Sequence, residues 1–169
     1  MQKHSNLIFI GDSLTQFHDW SNFGAHHNAG IAGDTTDGLL YRLHYSLEKK
    51  PTTIVLMIGI NDLLQGQYLD TIQSNYQNIL RQLQAVQTVY LLSILPIEMM
   101  QQATQINEEI ITLNHFLEQE TTEKGYHFID LYSELVDSHS SMREGLSSDG
   151  VHLTPKAYEI WEKVLKNHL

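Results

Sequence analysis

Ser13 is separated from the apolar run Leu7-Ile8-Phe9-Ile10 by a single pair, in the tetrapeptide Gly11-Asp12-Ser13-Leu14. A serine hydroxyl is too weakly acidic to attack a carbonyl unaided near neutral pH. It needs a base within hydrogen-bond reach and donors for the oxyanion that forms. The stretch Asp149-Gly150-Val151-His152 offers the base and its support. An imidazole, titrating near pH ~6.5 when unperturbed, can take the serine proton and then deliver it to a leaving group. A carboxylate three residues earlier can accept a hydrogen bond from the far ring nitrogen, fixing the tautomer and stabilising the imidazolium. Ser13, His152 and Asp149 thus read as nucleophile, base and orienting acid of an acyl transfer.

Two further segments could supply the oxyanion donors. Gly30-Ile31-Ala32-Gly33-Asp34-Thr35-Thr36 carries Gly33, where the missing Cβ lets the backbone approach closely, and Gly59-Ile60-Asn61-Asp62 carries the Asn61 carboxamide. With the amide of Ser13 at a strand-to-helix turn, three donors could converge on one oxygen. Taken singly, each motif also fits a plain turn, a capped loop or a surface histidine. Their chain order and their common position after apolar runs favour the joint reading.

Those runs are the elements that must position the site. Aliphatic stretches at 7–10, 53–58, 89–95 and, more weakly, 126–131 read as strands covered on both faces, with a short fifth strand expected within 25–29. Between them, Leu69, Ile72, Tyr76, Ile79, Leu80, Leu83 and Val86 fall on one helical stripe. Leu39, Leu40, Leu43 and Leu47 mark a second helix, and Ile106, Ile110, Leu113 and Leu117 a third that Gly125 would end. Thr154 as N-cap and Pro155 at the first helical position announce the last, which carries Tyr158, Trp161, Val164 and Leu165. Strands alternating with helices imply crossover connections and a parallel sheet between two helical layers. In such sheets ligands bind beyond the carboxyl ends of the strands, where the motifs above lie.

The blocks Gly11-Asp12-Ser13-Leu14, Gly33, Gly59-Ile60-Asn61-Asp62 and Asp149-Gly150-Val151-His152 resemble, in order, the four blocks of the SGNH (GDSL-type) hydrolases. The segment from Asn28 to Thr36 and the ending Asp149-Gly150-Val151-His152-Leu153-Thr154-Pro155 look most like the branch of platelet-activating-factor acetylhydrolase catalytic subunits and bacterial acyl-esterases. The resemblance implies a flavodoxin-like three-layer α/β/α sandwich with a central parallel sheet of about five strands. It also implies Ser13, Asp149 and His152 as the catalytic residues, and Ser13, Gly33 and Asn61 as the oxyanion hole. The Gly-x-Ser-x-Gly elbow of α/β-hydrolases is absent, because Thr15 occupies the place of its second glycine.

The 169 residues fit a single domain, 1–169, with 41% hydrophobic and 18% charged residues as in a folded globular chain. Lys and Arg number 10 against 20 Asp and Glu, a net charge of −10 that repels phosphate backbones and anionic lipid. Nucleic acid and stable membrane association are therefore not expected as partners, a small-molecule ester is, and a homodimer stays open. Cysteine is absent, excluding disulfides, thiolate metal sites and cysteine nucleophiles. The N-terminus has no signal-peptide pattern, and no stretch approaches the ~20 apolar residues of a membrane span. A cytoplasmic location is the expectation, with a removed leader left open.

Ten histidines invite a metal hypothesis, yet His26, His27, His115, His127 and His139 lack ligand spacing with a carboxylate pair on a shared face. Neither metal nor cofactor is expected. Asp12 has no second acidic residue two positions on, as a phosphatase nucleophile would, and is read as bracing the serine turn. Asp34, Thr36 and Asp62 are read as organising loops. Trp20, Leu64, Tyr68, Met99 and Met100 fall near the rim, where an acyl pocket and ordinary packing are both open readings. The expected reaction is hydrolysis of small, short-acyl or acetyl esters through an acyl-enzyme. A thioesterase or lysophospholipase using the same site is the alternative within enzymes. A flavodoxin-like module cradling phosphate or flavin is the alternative from another class.

Overall fold

A computed structural model describes residues 6–98 and 103–169. Five parallel strands form one sheet: β1 (Leu7–Gly11), β2 (His26–Gly30), β3 (Thr53–Met57), β4 (Thr88–Leu92) and β5 (His127–Ile129). Their order is β2-β1-β3-β4-β5. Phe9 stands opposite Asn28 of β2 and Val55 of β3, so β1 lies at the point where the winding reverses. Such switch points open a crevice at the strand carboxyl ends. The central strands β1 and β3 are almost wholly aliphatic and buried, as strands with helices on both faces must be. At the edge, β2 has the sequence His-His-Asn-Ala-Gly and is only partly covered.

The helices are α1 (Ser13–Gln16), α2 (Thr36–Leu47), α3 (Ile60–Leu64), α4 (Leu69–Gln82), α5 (Ala103–Lys124), α6 (Tyr132–Leu135) and α7 (Pro155–Leu165). On one face, α4 packs against both α2 and α5. Right-handed crossovers put the β1-to-β2 connection on the other face, because that step runs the opposite way along the sheet. There Phe9 stacks on Trp20 at 4.3 Å, Trp20 meets Trp161 of α7 edge-on at 5.0 Å, and the Tyr158 hydroxyl donates to Leu14 O at 2.8 Å. The result is a three-layer α/β/α sandwich with one contiguous hydrophobic cluster. No helix among the described residues is long and apolar enough to cross a membrane.

Two boundaries and the role of one capping hydroxyl differ from the sequence reading. The apolar run 89–95 continues past the end of β4, because β5 is only three residues long and its last pairing is Ser93 N–H to Ile129 O at 3.0 Å. Beyond it the backbone finds partners on α5. Asn114 accepts from Ile94 N at 2.7 Å and donates to Ile94 O at 2.9 Å, and Asn107 does the same for Ile97 at 2.9 and 3.0 Å. The α4 stripe leaves the helix at Gln82 and ends in a 3₁₀ turn, Leu83–Ala85, with Val86 extended but still buried. Thr154 does precede α7, yet its hydroxyl donates to Gly145 O at 2.9 Å and makes no cap, tying the preceding loop instead. Gly125, at φ 71°, ends α5 as expected.

Candidate active site

Ser13 opens α1 directly beyond β1, and the chain allows only glycine at the hinge. A Cβ on Gly11 would stand 2.2 Å from Thr15 Oγ1 and 2.4 Å from the Met57 carbonyl of β3. The turn is closed by Asp12, whose Oδ1 accepts from Leu14 N at 2.9 Å. A helix of four residues has little internal support, so its free carbonyls need outside donors. Tyr158 serves Leu14 O, while the indole of Trp20 and the Asn28 carboxamide both serve Thr15 O, at 2.9 and 3.0 Å. These bonds fix the axis on which the buried Ser13 rides. As the first residue of the helix, its amide has no acceptor among the described residues.

His152 comes from the loop before α7. Its Nε2 lies 2.9 Å from Ser13 Oγ, and its Nδ1 lies 2.6 Å from Asp149 Oδ2. A carboxylate only accepts, so Nδ1 carries the proton and Nε2 of the neutral ring presents its lone pair to the serine hydroxyl. The other oxygen of Asp149 accepts from the backbone of Val151 and His152, at 3.0 and 2.7 Å. The imidazole bond, then the two backbone bonds, hold its pKa down to about 2 from the ordinary 3.8. Ser147 donates from Oγ to His152 O at 2.9 Å and accepts from Gly150 N at 2.8 Å, and Glu98 N donates to Gly150 O at 2.8 Å.

Gly33 and Asn61 follow β2 and β3, the two neighbours of β1. Gly33 sits at φ 78° with open space where a Cβ would project, and its amide has no acceptor among the described residues. Asn61 donates from Nδ2 to Asp34 O at 2.9 Å, which couples its carboxamide to the turn carrying Gly33 and leaves one N–H of the amide group uncommitted. The sequence-derived expectation for the bracing residues holds. Asp62 accepts from Thr36 N at 2.9 Å and Thr36 Oγ1 at 2.6 Å, and burial raises its pKa.

Two bracing residues were not foreseen. Arg42 on α2 donates to Asp34 Oδ2 at 2.7 Å, Ala29 O at 2.8 Å and Gly11 O at 3.0 Å, joining the ends of β1 and β2 to the Gly33 turn. Gln16 Oε1 accepts from Ala32 N at 2.6 Å. Their partners are 8 to 31 positions away, and no local pattern marks them.

Of the rim candidates, Trp20 is a core residue, fully buried between Phe9 and Trp161. Leu64 and Tyr68 are exposed and border a cavity of about 470 Å³ that also includes Leu63, Gln105 and Ile106 but none of Ser13, His152 and Asp149. Met99 and Met100 lie outside the described residues. A second cavity, of about 490 Å³, has His152 in its wall, and it adjoins the chemistry.

A doubly wound sheet with a serine, an imidazole and a carboxylate bonded in series at its switch point has the form of a carboxylic ester hydrolase. The model of the GDSL-like lipase/acylhydrolase family matches residues 9–160, and the chain belongs to that family. Its fold recurs in a Streptococcus pneumoniae protein named for platelet activating factor, 25% identical, covering 96% of this chain and 83% of that one with a TM-score of 0.84. A GDSL-like lipase of Bacteroides thetaiotaomicron is 23% identical, covers 99% and 88%, and gives 0.89. An acetyl-xylooligosaccharide esterase of Geobacillus stearothermophilus is 19% identical, covers 97% and 93%, and gives 0.82. Among curated sequences, an N-acylneuraminate cytidylyltransferase of Streptococcus agalactiae is 23% identical over 158 residues, 94% of this chain. The chain spans 37% of that relative's length. Family membership displaces the flavin-carrier alternative.

Proposed function

We propose that this protein hydrolyses short-acyl, above all acetyl, esters through an acyl-enzyme on Ser13. In the first step Ser13 Oγ bonds to the ester carbonyl carbon as His152 Nε2 takes its proton, and the C=O pair moves onto the carbonyl oxygen. That oxygen is met by the amides of Ser13 and Gly33 and the free N–H of Asn61. The tetrahedral species collapses, the C–O bond to the alcohol breaks, and the imidazolium returns its proton to the departing oxygen. Water then repeats the sequence on the acyl-enzyme and releases the carboxylic acid. Asp149 stays ionised throughout, consistent with its pKa near 2.

The observation that carries this reading is the unbroken chain from Ser13 Oγ through both ring nitrogens of His152 to Asp149, at 2.9 and 2.6 Å. The half-exposed side chains of His152 and Asp149 leave the pair open to the water that deacylation consumes. The acetyl group named for the Geobacillus neighbour agrees with a short acyl half. Cytidylyl transfer, named for the streptococcal relative, is not assigned to this chain, which matches about a third of that protein.

The test is hydrolysis of p-nitrophenyl esters from acetate to long chains, by wild type and Ser13→Ala side by side. Turnover that disappears in the variant and declines with acyl length is the expected result. Equal rates in both proteins overturn the assignment. Acyl-thioesters or lysophospholipids turned over faster than acetate esters transfer the site to the alternative substrate class.

A further inference from the structure

The three donors assigned to the oxyanion come from three separate strands: Ser13 follows β1, Gly33 follows β2 and Asn61 follows β3. Such donors serve a developing charge only when each is held to within about 0.5 Å of its place. Strand pairing cannot do this, because it ends at Gly11, Gly30 and Met57, short of all three. A tie beyond the sheet has to set their spacing.

Arg42 reaches every part of that set. Its Nη2 donates to Gly11 O at 3.0 Å, two residues before Ser13, and its Nη1 to Ala29 O of β2 at 2.8 Å. Its Nε donates to Asp34 Oδ2 at 2.7 Å, beside Gly33. Asp34 passes the connection on, its carbonyl accepting from Asn61 Nδ2 at 2.9 Å while its Oδ1 accepts from Thr35 N at 3.0 Å. Room for the carboxylate is made by Gly38, where a Cβ would stand 2.0 Å from Asp34 Oδ1. The side chains of Arg42 and Asp34 are only 14% and 10% exposed, so the tie is sheltered from water and salt. Their charges largely cancel, and what remains is an effect of placement. A planar guanidinium offers five donors in fixed directions, whereas an ammonium offers three on one atom and cannot hold two strand carbonyls and the carboxylate at once. The other tie to the Gly33 turn, from Ala32 N to Gln16 Oε1 at 2.6 Å, lies on an exposed side chain and does not extend to Asn61.

Resting on the acyl-transfer reading above, we infer that Arg42 is the positioning residue of the oxyanion hole. Through Gly11, Ala29 and Asp34 it sets the spacing of the Ser13 amide, the Gly33 amide and the Asn61 carboxamide, and it acts on turnover without touching substrate.

The experiment measures kcat and KM on p-nitrophenyl acetate for Arg42→Lys, Asn61→Ala and Asp149→Asn, and for Arg42→Lys combined with each of the other two. Every rate is referred to the folded fraction seen by circular dichroism. Arg42→Lys keeps a cation for Asp34 but gives up the bonds to the strand carbonyls. It should lower kcat by about 10², with KM within about threefold of wild type. Combined with Asn61→Ala, the loss should fall short of the product of the single losses by at least about tenfold, because both changes damage one hole. Combined with Asp149→Asn, which acts on the imidazole, the losses should multiply. A general loosening of the fold would treat the two combinations alike. Asp34→Asn weakens the same tie from its other end and should repeat the pattern, so a failure of Arg42→Lys to fold leaves the test intact. An unchanged kcat, a loss confined to KM, or two combinations that behave alike overturns the inference. Wild type no faster than Ser13→Ala on p-nitrophenyl acetate overturns the esterase assignment itself, a failure visible before any Arg42 variant is compared.

Discussion

The carboxyl group beside the nucleophile makes stability depend on pH in a predictable direction. Asp12 is 1% exposed, its Oδ1 accepts from Leu14 N, and its Oδ2 has no hydrogen-bond partner among the described residues. Burial pushes its pKa up to about 7 from 3.8, the Asp34 carboxylate adding to the rise, while the Leu14 bond and the nearby His152 oppose it. Folded Asp12 thus keeps a proton that the unfolded chain releases. Below the unfolded pKa the group contributes nothing, and stability falls as pH climbs from about 4 to about 7, by up to ~1.4 kcal/mol per unit. Over a rise from 3.8 to about 7 the loss sums to roughly 4 kcal/mol, complete by about pH 8.

Asp12→Asn keeps the shape and the acceptor for Leu14 but cannot ionise. The protonated carboxyl of wild type and the amide of the variant both place an unpartnered donor at the Oδ2 position, so the two proteins differ chiefly in ionisation. The stability of the variant relative to wild type should therefore rise by roughly 4 kcal/mol between about pH 4 and about pH 8. Urea unfolding of both proteins across this range measures it. A difference that stays constant refutes the proton-holding Asp12.

Asp149→Asn should lower kcat on p-nitrophenyl acetate by about 10² to 10⁴, since the imidazole loses the partner that fixes its tautomer. With a folded pKa near 2, Asp149 contributes stability above about pH 4 that is lost as pH falls toward 2; solvent screening keeps the effect small, and acid titration of the variant should lack it. Asn61→Ala should reduce kcat by about 10² to 10³ with KM little changed, and full activity in steady-state assays would remove Asn61 from the oxyanion set. Asn107→Leu strips the buried Ile97 N–H of its acceptor, while Ile97 O keeps the bonds from Met142 N and Ser141 Oγ, and should destabilise the fold by about 1–3 kcal/mol in urea titrations, with no change in urea m-value.

The sequence displays the site more fully than it displays what braces it. Ser13 and Asn61 are legible because each follows an apolar run, and Gly33 and the Asp149–His152 pair because their residue types, in this chain order, are ones the chemistry requires. The edge strand β2 could be placed to within a residue, although its polar sequence carries no aliphatic signal. The end of β4 could not be read. An apolar run looks the same whether its backbone pairs with a strand or with two asparagines on a helix, and Asn107 and Asn114 are 10 and 20 positions from the residues they serve. Arg42 was hidden for the same reason: it stands between Tyr41 and Leu43 in an amphipathic pattern, where a charge ordinarily means a solvated face. Trp20 shows the converse, a residue near the rim in sequence that the stack of Phe9 and Trp161 draws inward.

The two halves of the proposed site are held by different kinds of structure, and this decides how each responds to perturbation. Ser13 stands on a four-residue helix whose carbonyls are bonded by Tyr158, Trp20 and Asn28, of which Tyr158 and Trp20 also build the core. Changes there alter packing and reactivity together. His152 stands on a loop braced by the hydroxyl of Ser147, the carboxylate of Asp149 and the bond from Glu98 N to Gly150 O. These are polar contacts near the surface, each worth about 1 kcal/mol to folding, whereas a slight misplacement of the imidazole can reduce turnover a hundredfold. Substitutions in the His152 loop thus lower kcat with little effect on stability, and those around α1 lower both. Such a difference between the halves follows from a nucleophile fixed by the sheet and a base fixed by a loop.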